Sequence, residues 1–75
     1  MKYAEKHMMR AELQIKYRKM IYDDVPGMWI SLCDDYEGTI QLDGHCTAEG
    51  LIIISDMFGR YLKELEPINN IQTED

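Results

Sequence analysis

Four side chains in this sequence carry a thiol or an imidazole, the groups that most often bind a transition metal or form a nucleophile–base pair: His7, Cys33, His45 and Cys46. Structural zinc takes four thiolate or imidazole ligands, brought in as closely spaced pairs. Here the steps from one to the next are 26, 12 and 1 residues, which matches no paired knuckle. A thiolate–imidazole pair can attack a carbonyl, but only with an orienting group, oxyanion donors and a pocket that excludes water. Cys46 precedes Thr47, the residue that reads as a helix N-cap, so it lies outside the turn where a helix lowers a thiol pKa. Both cysteines are expected as free thiols, with no metal and no cofactor.

The second group is the carboxylates Asp34, Asp35, Glu37 and Asp43 around a turn. A calcium loop of the EF-hand type needs oxygen ligands at fixed offsets about a glycine and a glutamate in the last position. Setting Gly38 or Gly44 as that glycine starts the loop at Cys33 or Thr39, and neither alignment ends in glutamate. These read as solvated turn acids. The sequence also holds no glycine-rich phosphate loop, CxxC, HExxH or serine elbow. No catalytic residue is assigned, and the chain is read as not an enzyme.

What would have to position any of these groups is a short series of elements. Residues 3 to about 23 carry helix-forming side chains without an internal Gly or Pro. Their apolar positions form two stripes. Met9, Leu13, Tyr17 and Met20 share one side; Ala4, Met8, Ala11, Ile15 and Tyr22 share the side nearly opposite. A helix packed on one small core needs a single stripe, so the second implies a second cover. Asp23 and Asp24 oppose the dipole at the helix end, which is expected a residue or two early, before the Pro26-Gly27 turn. Residues 28–33 and 39–42 alternate as strands of a hairpin, with Met28, Ile30, Leu32, Ile40 and Leu42 on its inner face. Thr47 caps a second helix with the stripe Leu51, Ile54, Met57, Phe58, Tyr61, Leu62 and Leu65, and Pro67 is expected to close it. Ile52 and Ile53 fall outside that stripe.

The expected fold class is therefore α+β: helix, β-hairpin, helix, with both helices packed on one face of a small antiparallel sheet. Residues 1–66 form a single small α-β-β-α domain and 67–75 a polar flexible C-terminal tail. A chain of 75 residues buries only about 60% of its potential surface and commonly needs reinforcement. With at most one disulfide available, association is the reinforcement left.

Charge narrows the partner. Residues 1–19 carry Lys2, Lys6, Arg10, Lys16, Arg18 and Lys19 against Glu5 and Glu12, a net of +4, while residues 20–75 carry a net of −10. The acidic whole, at −6, argues against direct nucleic-acid binding, which rests mainly on neutralising phosphates. It suits a basic protein surface or the opposite half of a second copy. The longest apolar run is Leu51-Ile52-Ile53-Ile54, far short of a membrane span, and nothing reads as an export signal, so the cytoplasm is expected. The leading reading is an acidic protein-interaction module, acting as adaptor, inhibitor or regulatory subunit, with homodimerisation through the first helix as one form of it. The alternative is a nucleic-acid-binding module using the six cations of the first helix. The candidate interface is Met8, Ala11, Ile15, Tyr22, Trp29 and Tyr36: the second stripe, an aromatic on the strand face away from the core, and an aromatic at the hairpin tip.

Overall fold

The computed structural model describes residues 1–25 and 47–74, together with the backbone of 29–33 and 39–43. In chain order the elements are α1 (Tyr3–Asp24), β1 (Trp29–Cys33), β2 (Thr39–Asp43) and α2 (Ala48–Asn69).

The two helices have 22 residues each and so are about 33 Å long. They run antiparallel and pack against each other in a particle measuring 44 × 16 × 16 Å. The α1 face turned to α2 repeats every three or four residues through Lys6, Arg10, Leu13, Tyr17 and Ile21. The facing stripe of α2 is Ile54, Met57, Tyr61 and Leu65, and Gly50 is buried at the start of the helix. The aromatic rings set the middle of the contact. Tyr17 meets Tyr61 edge-on at 5.7 Å between centroids, and Phe58 stacks on Tyr61 at 6.0 Å, separations at which aromatic pairs attract beyond simple burial. Met20, Val25, Ile53, Phe58, Leu62 and Ile68 close the sides of this cluster.

This arrangement overturns the expected α+β class and the sheet on which both helices were to lie. The packed body is purely α-helical: every buried hydrophobic residue among the described residues belongs to α1 or α2. The backbones of 29–33 and 39–43 pair antiparallel, from Trp29 opposite Asp43 to Cys33 opposite Thr39, within the connection between the helices. The physical reason is length. Five residues of strand extend about 17 Å and cannot cover helices twice as long, whereas a second helix of equal length can. The inward-facing set Met28, Ile30, Leu32, Ile40 and Leu42 lies outside the described side chains.

The helix ends show the same priority of packing over local preference. Asp23 and Asp24 remain helical, and the Val25 N–H donates to the Ile21 carbonyl at 2.8 Å. Ile21, with no exposed surface, holds that last turn against α2. At the start of α2 the Thr47 hydroxyl accepts from the Gly50 N–H at 3.0 Å, the expected cap. At its end the helix runs through Pro67 to Asn69, two residues past the expected stop. Proline in the final turn forfeits one backbone bond, and the following turn is held both by the helix's own cap and by α1. The Asn70 N–H donates to Glu66, and the Lys6 ammonium donates to the carbonyls of Asn69 and Ile71, at 2.8 and 2.9 Å. Within α2, Leu51 was expected in the core face but is 45% exposed, because α1 has already ended where α2 begins.

Candidate protein interface

At 100° per residue, the core-facing residues of α1 centre on one side and Met8 and Ile15 lie diametrically opposite. Packing a single helix against α1 covers one stripe and leaves the other in water. Met8 is 60% and Ile15 63% exposed, and Ala4 is exposed as well. Ala11 and Tyr22, further round toward α2, are half-buried. The structure thus brings Met8, Ala11, Ile15 and Tyr22 onto one face. Trp29 enters only through its backbone in β1, and Tyr36 lies outside the described residues, so neither is placed relative to that face.

The rim between α1 and α2 is polar and organised around Glu64. The Tyr17 hydroxyl donates to one Glu64 carboxylate oxygen, and the Lys16 ammonium reaches the other at 3.4 Å while lying 5.4 Å from the Tyr17 ring centroid. The hydrogen bond from Tyr17 holds the Glu64 carboxyl below its ordinary pKa, with Lys16 acting in the same direction. Burial, and then the same carboxylate, push the Tyr17 phenol above its ordinary value. Beside this trio Met9, Glu12, Leu13, Lys16 and Ile68 line an open groove of about 240 Å³. Tyr17 is thereby favoured as the neutral donor and Glu64 as the charged acceptor, so their contact clasps the two helices together.

The cations of α1 are divided between interior and surface. Lys6 and Arg10 are buried, at 6% and 3% exposure; Lys6 is engaged by the end of α2 and Lys16 by Glu64. The net charge of the first 19 residues does not distinguish the interior cations from the exposed ones. Their spacing carried the missed signal, because Lys6 and Arg10 continue the Leu13–Tyr17–Ile21 stripe at helical intervals.

Of the residues considered for metal or nucleophilic chemistry, His7 stacks against Tyr3 at 6.3 Å, Cys33 is in β1, and His45 and Cys46 lie outside the described residues. Among the described residues no three His, Cys, Asp or Glu side chains are grouped to hold a metal ion. No described helix is long and apolar enough to cross a membrane. No family model, no curated protein and no solved structure matches this chain.

Proposed function

We propose that this chain is a non-catalytic protein-interaction module of the cytoplasm, an adaptor, inhibitor or regulatory subunit, and that it docks through the outer stripe of α1. The observation that carries this reading is the pairing of a buried inner stripe with the exposed Met8 and Ile15 on the opposite side of the same helix. Single apolar residues on a surface are ordinary, but Met8 and Ile15 stand in line on one helix face with Ala4 and Ala11 between and beside them. That is the anchor spacing of a helix received by another helix or by a groove. The net charge of −6 favours a partner with a basic surface. The nucleic-acid alternative is weakened by the burial of Lys6 and Arg10 and by the ion pair of Lys16, and of the other three cations only Lys2 and Lys19 are fully exposed.

The test is site-specific photocrosslinking in cells expressing the full chain, with a benzophenone side chain at Met8 or Ile15 and, as control, at the exposed Glu66 of α2. Discrete protein adducts from the two α1 positions and none from the control are expected. Adducts that are absent, or equal at all three positions, would refute the assignment.

A further inference from the structure

Resting on that reading, we propose that the occupant of the outer stripe is a second copy of the same stripe, laid antiparallel across a two-fold axis to give a dimer with four helices. Three features of α1 carry this.

The first is periodicity. Met8 and Ile15 are seven residues apart, as are Ala4 and Ala11, and each alanine falls three or four residues from its larger neighbours. Extended by Arg18 and Tyr22, this is a seam with two positions in every seven, the pattern that two helices share when they wrap on each other. The inner stripe of α1 leads through Lys6, Leu13 and Tyr17 on the other side, so both seams can be occupied at once.

The second is side-chain volume. Large residues hold one seam position (Met8, Ile15, Tyr22) and alanines recur at the other (Ala4, Ala11). A parallel pair would set methionine on methionine and alanine on alanine, giving alternately swollen and hollow layers. Antiparallel pairing sets each large residue against the other kind of position. Ile15 packs on Ala11 of the second copy, Tyr22 on Ala4, and Met8 on the stem of Arg18. The four layers that contain an alanine set large against small, and the two-fold axis makes the patch complementary to itself.

The third is charge. In that register Glu5, exposed beside the seam, comes opposite the exposed Lys19 of the second copy, and the reverse contact follows by symmetry. The basic first turns of one α1 lie near Asp23 and Asp24 of the other, and the helix dipoles oppose. A parallel pair would stack the basic ends on each other. The one like-charged approach is Glu12 with its own copy across the axis.

The experiment is light scattering after size exclusion on the full chain over a hundredfold concentration range, followed by two variant sets. A mass of two chains is expected at the upper end. Ile15→Glu should reduce it to one chain while leaving the far-ultraviolet circular dichroism of the dilute protein unchanged, and Glu12→Gln should lower the dissociation constant several-fold. In a Cys33→Ser, Cys46→Ser background, Glu12→Cys should form a disulfide-linked dimer on mild oxidation and Met8→Cys should not. A monomer at every concentration overturns the second copy while leaving the docking face intact; the photocrosslinked adducts then have the mass of a different protein. A dimer indifferent to Ile15→Glu overturns the seam, and cross-linking by Met8→Cys instead of Glu12→Cys overturns the antiparallel sense.

Discussion

Lys6 and Asn69, 63 residues apart in sequence, are joined by a hydrogen bond of 2.8 Å from the lysine ammonium to the asparagine carbonyl. The same ammonium reaches the Ile71 carbonyl. The last turn of α2 contains no basic residue of its own, so the positive charge that stabilises a helix C-terminus is lent by α1. Replacing Lys6 with Met keeps most of the stem and removes the ammonium, stranding two carbonyls that face the helix pair. Lys6→Met is expected to cost about 1–3 kcal/mol, measured by urea unfolding, with faster amide exchange concentrated at residues 69–74.

Glu64 and Tyr17 make stability depend on pH in opposite directions. The folded state lowers the carboxyl pKa of Glu64, so its contribution is present above the ordinary glutamate range and is lost as pH falls through the depressed value. Tyr17 is raised, so its neutral form contributes below the ordinary tyrosine range and that contribution is lost as pH climbs through the elevated value. Thermal midpoints recorded from acid to alkaline pH should show both limbs. Glu64→Gln should flatten the acid limb and Tyr17→Phe the alkaline one.

Ile21 and Ile15 lie on the same helix with opposite surroundings, the first fully buried and the second 63% exposed. Ile21→Ala opens a cavity between the helices and is expected to cost about 2–5 kcal/mol, enough to unfold a domain of this size at ambient temperature. Ile15→Ala in dilute protein should change the unfolding free energy by less than about 0.5 kcal/mol. Equal losses in denaturant titrations would contradict the assignment of the two faces.

Gly59 sits exposed in the middle of α2, and a methyl group there would meet nothing within 4 Å. Gly59→Ala should therefore stabilise by about 0.5–1 kcal/mol through helix propensity and the unfolded chain, read as an upward shift in thermal midpoint.

Much of this was legible in the residues. The two stripes of α1 were visible at helical spacing, as were the Thr47 cap and the stripe through Ile54, Met57, Tyr61 and Leu65. Which stripe of α1 would be covered was not, because Leu13 and Tyr17 are no more apolar than Met8 and Ile15. The choice falls to partners that come from α2, above all Glu64 for Tyr17 and the helix end for Lys6, and a single-helix pattern cannot contain them. Ile21 escaped the sequence reading beside the acids that follow it, although it is a fully buried anchor. The sheet was overvalued for a related reason: strand periodicity marks where strands can form and says nothing of whether they are long enough to cover a helix. The candidate site was half legible, since the outer stripe could be named from spacing but its exposure had to be seen.

The backbone of Glu74 donates to the Met1 carbonyl at 3.1 Å, and the Met1 amine lies 3.4 Å from the Gln72 carbonyl, at the pole remote from the end of α1 and the start of α2. A pulling force applied through residues 1 and 74 therefore acts across the helix axes. The pair would open as a zipper does, beginning with these bonds and the Lys6 contact, then passing the Tyr17–Tyr61 rings and ending at Ile21, one layer at a time and at low force. Pulled instead between residue 1 and the start of α2 at the far pole, the same contacts would be loaded along the helices in shear, together, and would hold to a higher force.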